Sequence, residues 1–420
     1  MKNILDDFKS RNLIYQISDY KYINLKLLHN SIKLYCGFDP TSDSLHVGHL
    51  LPIICLKRFQ IFNHKPIILL GGATSLIGDP SFKNKERKLF EVDKIISWSK
   101  NINNQLNFLF RSQKENNKVT IINNYNWFKK INLLEFLRDV GKVFSISKLI
   151  NKDSVKQRIN RLDQGISFAE FSYNLLQSYD FFWLRKKYGV ILQIGGSDQW
   201  GNITSGIYLT RRLYNKKVFG LTMPLILKSN GIKFGKSEKD NIWLDSNKTS
   251  PYKFYQFWIN VSDSDVFNFL KFFTFIDILY ILSLEQNKTY SNIIIAKSLL
   301  AYEITKLVHG KIAAKSAKRI SNNIFYNNIN DFLESDFEQL KQDGMPKIFL
   351  HGHEDLCQVL VDSNLVMSRS RAKNMIESNS IYINNRKETN YRYTFNINDK
   401  LFKKYTILKK GKKNFCLLCW

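Results

Sequence analysis

The chain has 420 residues, enough for two or three domains with a substantial core, and its 44% hydrophobic and 24% charged content is ordinary for a globular protein. Lys and Arg number 63 against 36 Asp and Glu, a net charge of +27 that suggests a polyanionic partner, although an AT-rich coding bias toward Lys, Asn and Ile also raises it. Five scattered cysteines argue against a disulfide framework, the charged N-terminus has no signal-peptide core, and no apolar run approaches membrane-spanning length; a cytoplasmic protein without a membrane partner is expected.

Residues 3–30 have the pattern of an amphipathic helical lead-in, with Ile4, Phe8, Leu13 and Ile14 as core candidates. Ile32 to Cys36 then reads as a strand and Gly37 to Asp43 as a turn-rich loop. A helix is predicted from Ser44. Strand, loop and helix N-terminus together make a phosphate cradle, because first-turn N–H groups lack intrahelical partners. His46 and His49 fall three apart on that helix start, and Gly48 between them admits a flat ring close to the backbone. A pair of surface histidines is the bland alternative.

Further apolar runs follow at Pro66 to Leu70, Val119 to Ile122 and Val190 to Ile194, with helical stretches between them. The alternation predicts a parallel sheet with crossover helices, and ligands sit at the carboxyl ends of such strands. The segment 123–160 reads as an insertion with an exposed apolar face; a packed crossover helix fits the pattern equally well. Gly71 to Pro80 follows the second strand and offers Asp79 to a substrate ammonium, with Lys83 and Arg87 beyond it suited to phosphates. Tyr173, Gln177 and Asp180 form one polar stripe of a helix whose neighbours, Phe171, Phe181 and Phe182, make solvent a poor partner. A buried carboxylate there needs a donor, and a phenolic hydroxyl shared with Tyr35 serves. Gln193 to Asn202 is a second strand-to-helix crossing in which Asp198 caps the helix or binds ribose.

Lys233-Phe234-Gly235-Lys236-Ser237 suits a mobile loop bringing positive charge to leaving phosphates, or a plain basic surface loop. Residues 250–325 read as helices and 326–350, polar and acidic, as a linker. From 351 to 420 the chain carries 13 Lys/Arg against 6 Asp/Glu, a net +7. There Ser368 caps a basic helix, Ile381 to Ile383 is a short strand, and Asn384-Asn385 a turn. Cys416 and Cys419 are read as strand core rather than zinc ligands.

The string Lys33 to His49 resembles the ATP-binding signature of class I aminoacyl-tRNA synthetases, with Val47 for the usual Ile. Tyr35 to Thr41 is similar to the bacterial tyrosyl-tRNA synthetase family. Lys233 to Ser237 resembles the second signature, K-M-S-K-S, with Phe and Gly at its second and third places, and the C-terminal part resembles the S4 RNA-binding domain. The resemblance implies an α/β fold: a Rossmann-like parallel-sheet catalytic domain (1–230, with the insertion at about 123–160 as homodimer interface), an α-helical anticodon-side domain (231–325), the linker (326–350) and a small α+β S4-like domain (351–420). It implies joining of L-tyrosine to tRNA(Tyr) at the expense of ATP, with Mg2+ on the ATP phosphates and no tightly bound protein metal.

By the same resemblance, Thr41, His46, His49, Lys83, Arg87, Lys233 and Lys236 stabilise the reacting phosphates. Tyr35 and Asp180 read the phenol hydroxyl, Asp79, Tyr173 and Gln177 hold the ammonium, and Gln193 and Gln199 line the tyrosine site. Cys36 and Asp198 bind ribose, and Gly37, Asp39, Pro40, Gly48, Gly196 and Ser237 complete the ATP site. Arg369, Arg371, Lys373, Lys410, Lys412 and Lys413 are the tRNA candidates. Three rivals share parts of the pattern: a tryptophanyl enzyme, a small nucleotidylyltransferase, and an S4-type RNA-binding protein with a decayed catalytic domain.

Overall fold

The computed structural model describes residues 3–81, 89–111, 118–152, 155–156, 159, 165–226, 241–326, 328–329, 331–352, 354–411 and 414–420. They form two compact units, Met1–Leu244 with Ser262–Ile293, and Asp245–Val261 with Ile294–Trp420.

The first unit is built on β1 (Gln16–Ile17), β2 (Lys33–Phe38), β3 (Lys65–Leu70), β4 (Thr120–Asn123), β5 (Leu192–Gly196) and β6 (Phe219–Met223), in the order β1-β6-β5-β2-β3-β4. Every pairing is parallel except β1 with β6. Strands covered on both faces need apolar residues at nearly every position, and β3 is buried from Pro66 to Leu70. Chain direction across the sheet reverses between β2 and β5, the switch point where such sheets open a crevice. The predicted strands β2 to β5 are all present. β6 was not predicted, and the lead-in 3–30 proves to be two helices, Ile4–Ser10 and Tyr20–His29, with β1 between them.

The helix Ile4–Ser10 is anchored by a buried charge cluster. Asp7 accepts from Arg11 Nε at 2.7 Å and Arg58 Nη1 at 2.8 Å, and Arg11 Nη2 donates to the Ile276 carbonyl at 2.6 Å. These bonds fasten the helices Val266–Phe273 and Ile278–Gln286 to the first unit, so the span 231–325 does not form one separate helical body. Among the described residues no helix is long and apolar enough to cross a membrane.

The second unit carries helices and a sheet of β7 (Lys347–Phe349), β8 (Ile381–Ile383), β9 (Arg386–Lys387), β10 (Tyr405–Lys410) and β11 (Asn414–Cys419), ordered β7-β11-β10-β8-β9. The β8–β9 turn is Asn384-Asn385, both at positive φ, which asparagine tolerates. Cys416 and Cys419 are buried in β11, as strand core. The stretch 326–350 departs from the linker expectation. It contains the helix Glu334–Gln339 and β7, and Phe337, Leu340 and Met345 pack with Tyr405 and Leu417. Part of its acidic character is neutralised by the preceding helix, Lys311–Tyr326: buried Asp336 accepts from Arg319 and Ser316 there and from the Leu333 N–H.

Candidate active site

A cavity of about 430 Å³ opens in the first unit at the carboxyl ends of β2 and β5. Its lining gathers residues from five separate stretches of sequence: Tyr35, Cys36, Gly37, Asp39 and Thr41; His46, Gly48 and His49; Asp79; Tyr173, Gln177 and Asp180; and Gln193, Gly196, Asp198 and Gln199. Pro40 is buried beside them in the loop but does not line the cavity. Lys83, Arg87, Lys233, Lys236 and Ser237 lie outside the described residues, as do Lys412 and Lys413.

The histidine corner differs from the predicted first helical turn. His46 has an extended backbone and is the N-cap of a 3-10 turn, Val47–His49, and the α-helix Leu50–Ile61 begins only after it. His46 Nδ1 accepts from the Gly48 N–H at 3.0 Å, and His49 Nδ1 accepts from the His46 N–H at 3.1 Å. The rings still come together, with centroids 4.1 Å apart. A Cβ at Gly48 would press on the His46 ring at 2.8 Å, which accounts for glycine there. With both Nδ1 atoms accepting, a neutral imidazole carries its proton on Nε2, a donor suited to phosphate oxygen.

The other end of the cavity is built around two carboxylates. Asp180, on the helix Phe168–Tyr188, is buried; its Oδ1 accepts from Trp127 Nε1 at 2.9 Å and its Oδ2 from Asn124 Nδ2 at 3.0 Å. Burial holds the Asp180 carboxyl well above the usual range, the two donors oppose that shift, and the charge of Asp39 adds to it. Tyr35 faces Gln193 across β2 and β5 and packs edge-on against Phe181. Its buried hydroxyl has no hydrogen-bond partner among the described residues, and neither has Gln193 Oε1. Burial, and then Asp180, push the Tyr35 phenol well up, so it stays a neutral donor.

Asp39 is the second carboxylate. It accepts from Tyr173 OH at 2.8 Å and from Thr74 Oγ1 at 2.8 Å, which places it beside the residues assigned to the amino acid rather than out with the loop. Asn124 joins the two carboxylates, because its amide also donates to Thr74 Oγ1 at 3.1 Å while its carbonyl accepts from the Ala73 N–H. A Cβ at Gly71 would collide with the Asp39 carboxylate. Asp79 accepts from Gln199 Nε2 at 2.8 Å, and Gln199 Oε1 from Gln177 Nε2 at 3.2 Å. Burial pushes the Cys36 thiol up to about 12, so it is an uncharged group on the cavity wall. The N-cap position of the helix Trp200–Tyr214 is Gln199, whose side chain makes no capping bond, and not Asp198.

Asn124, Trp127 and Thr74 were not singled out from sequence. Asn124 and Trp127 lie at the start of the segment expected to be an insertion, whose first turn, Tyr125–Phe128, instead forms the wall behind Asp180. An Asn and a Trp three apart after a strand is the only trace they leave.

In the second unit, Ser368 caps the helix Arg369–Glu377 as expected. Arg369 pairs with Asp355 at 2.7 Å, Lys373 lies over the Tyr391 ring, and Arg371 is exposed. Lys410 donates to the Leu365 carbonyl and is half-buried, a poor position for a mobile phosphate contact.

Comparison with known proteins agrees with this architecture. Residues 27–326 match the family of tRNA synthetases class I (W and Y), and residues 336–418 match the tyrosine–tRNA ligase SYY-like C-terminal domain. The chain belongs to the class I tRNA synthetases of that tryptophan and tyrosine group. It is 54% identical over 419 residues to the tyrosine–tRNA ligase of Klebsiella pneumoniae, covering all of this chain and 98% of that protein. It is 53% identical over 417 residues to the tyrosine–tRNA ligase of Buchnera aphidicola subsp. Baizongia pistaciae, covering 99% and 98%. Within the group it therefore falls among the tyrosine–tRNA ligases. The C-terminally truncated mitochondrial tyrosyl-tRNA synthetase of Aspergillus nidulans superposes with a TM-score of 0.70 at 32% identity, covering 77% of this chain and 95% of that one.

Proposed function

We propose that the cavity binds L-tyrosine at its Asp180 end and ATP at its histidine end, forms tyrosyl-adenylate, and passes the tyrosyl group to the 3′ end of tRNA(Tyr). The observation that carries the assignment of ends is Asp180: a buried carboxylate with both oxygens oriented by Trp127 and Asn124, beside the Tyr35 hydroxyl, which has no partner among the described residues. A site built to bond a phenol hydroxyl rejects phenylalanine strongly, because an unpaired buried polar group is costly.

The chemistry requires no general base in its first step, since the tyrosine carboxylate is ionised at neutral pH. That carboxylate attacks the α-phosphorus of ATP in line, a new C–O–P linkage forms, and pyrophosphate leaves. The 3′-terminal ribose hydroxyl of tRNA then attacks the carbonyl, releasing AMP and a proton. Catalysis is positioning and charge stabilisation. Tyr35 and Asp180 bind the phenol, Asp79, Tyr173 and Gln177 the ammonium, and Gln193 and Gln199 line the amino-acid site. Thr41, His46, His49, Lys83, Arg87, Lys233 and Lys236 take the phosphates, and Mg2+ enters as part of the ATP substrate. Cys36 and Asp198 serve the ribose, with Gly37, Pro40, Gly48, Gly196 and Ser237 completing the nucleotide site; Asp39, expected there, is held by Tyr173 and Thr74 at the amino-acid end.

The net charge of +27 suits tRNA, and Arg369, Arg371 and Lys373 offer phosphate contacts from the second unit. Leu133, Leu134 and Ile146 are 68%, 75% and 66% exposed, an apolar face that suits the interface of a homodimer. Five unbridged cysteines suit the reducing cytoplasm. ATP–pyrophosphate exchange with purified protein, with and without Lys236→Ala, tests the adenylation reading. Tyrosine-dependent exchange that the substitution weakens greatly is expected. Undiminished exchange would remove Lys236 from the chemistry, and no exchange with tyrosine would overturn the reading.

A further inference from the structure

Behind the amino-acid end of the cavity runs a file of side-chain amides that ends on a lysine. Lys152, just past the short helix Ile146–Ile150, donates to three neutral oxygens: Asn174 Oδ1 at 3.2 Å, the Gly201 carbonyl at 2.8 Å and Ser205 Oγ. Asn174 Nδ2 donates to Asn202 Oδ1 at 2.6 Å. Asn202 Nδ2 donates to Gln199 Oε1 at 3.2 Å, and Gln199 Nε2 to Asp79 Oδ2 at 2.8 Å.

The direction of this file is fixed at both ends. An ammonium donates and cannot accept, so it holds the Asn174 carbonyl toward itself and turns the amide nitrogen to Asn202. The same choice then propagates through Asn202 and Gln199 and ends on a carboxylate, which accepts. Every amide has one allowed orientation, and hydrogen bonds aligned head to tail polarise one another. Gln199 Oε1 also accepts from Gln177 Nε2 at 3.2 Å. That bond commits the Gln177 nitrogen and leaves Gln177 Oε1, buried and without a partner among the described residues, to accept from a ligand.

We infer that Lys152 is a positioning residue for the substrate ammonium: acting through Asn174, Asn202 and Gln199, it presents the Asp79 carboxylate and the Gln177 carbonyl as acceptors. The inference rests on the proposal that Asp79 and Gln177 receive the tyrosine amino group. Burial lowers Lys152 to about 8, so near pH 7 the ammonium remains its main form. Replacing it by a group that cannot donate frees Asn174 to turn and leaves the file constrained from the Asp79 end alone.

The test compares L-tyrosine with 3-(4-hydroxyphenyl)propionate, which lacks the amino group, by equilibrium binding to the full chain without ATP or tRNA. In Lys152→Met the affinity for L-tyrosine is expected to fall about tenfold while that for the propionate changes less than about twofold. Asn174→Leu is expected to show the same selective loss. It leaves Lys152 its bonds to Gly201 and Ser205, so it decides the question if Lys152→Met does not fold. Asp79→Asn serves as the reference. If Asp79→Asn loses selectivity for the ammonium but neither Lys152→Met nor Asn174→Leu does, the relay is overturned and the site assignment stands. If both ligands weaken equally in those two variants, Lys152 is only structural and the inference fails. If Asp79→Asn leaves the ligand ratio unchanged, the ammonium site itself is misassigned and the inference falls with it.

Discussion

Trp127 donates its indole N–H to Asp180 at 2.9 Å from a helix that follows directly on β4, so a strand end and a distant helix are joined at the bottom of the cavity. With Asn124 on the other oxygen, the Asp180 carboxylate cannot rotate, and its remaining lone pairs are aimed before any ligand arrives. Trp127→Phe keeps most of the packing, including the stack against Trp183, and removes one donor. The ratio of kcat/KM for tyrosine over phenylalanine is expected to fall about tenfold, the worth of one buried hydrogen bond. An unchanged ratio would mean that the indole only fills space.

Asp39 predicts a separate effect. Its carboxylate is held by Tyr173 and Thr74, so Tyr173→Phe deletes a charge-assisted donor without changing the ring. Pyrophosphate exchange should show the tyrosine KM raised about tenfold and the ATP KM moved less than about threefold. A larger change in the ATP term would shift Tyr173 to the nucleotide side.

His64 gives a pH signature. Burial lowers it from 6.5 to about 4, and its Nδ1 accepts from the Ile32 N–H at 3.4 Å. Between those values the unfolded chain binds a proton that the folded chain refuses, so stability is lost as pH falls from 6.5 to about 4. His64→Asn keeps an acceptor and cannot titrate. Its melting temperature should decline less than that of the wild type across this window in calorimetric scans; parallel declines would show that other groups dominate.

The segment 326–350 provides a stability test. Asp336 is fully buried and accepts from Nε and Nη2 of the Arg319 guanidinium. Asp336→Ala should cost about 3 kcal/mol in denaturant unfolding, because it strips several donors at once. A change under about 0.5 kcal/mol is what a linker residue would give.

The difference between what sequence showed here and what it hid has a physical basis. β2 and its loop were legible because an apolar run, a Gly–Asp–Pro turn and two spaced histidines fall within one contiguous string. β6 was hidden because Phe219–Met223 includes Gly220 and Thr222, which dilute the apolar pattern; Gly220 is needed because a Cβ there would strike Ile203. β1 has two residues and no periodicity to detect. The Asp180 donors were hidden because Asn124 and Trp127 meet Asp180 across more than 50 positions of sequence, a juxtaposition that only the fold creates. The polar 326–350 stretch hid its core role because Phe337 and Leu340 stand among charges, one of which, Asp336, is paired with Arg319 of the preceding helix.

The most direct measurement is the tyrosine-to-phenylalanine ratio of kcat/KM in ATP–pyrophosphate exchange, for the wild type and Asp180→Ala side by side. A strong preference for tyrosine that drops about a hundredfold or more in the variant is the predicted result. A ratio that Asp180→Ala leaves unchanged would contradict the assignment of this end of the cavity to the phenol.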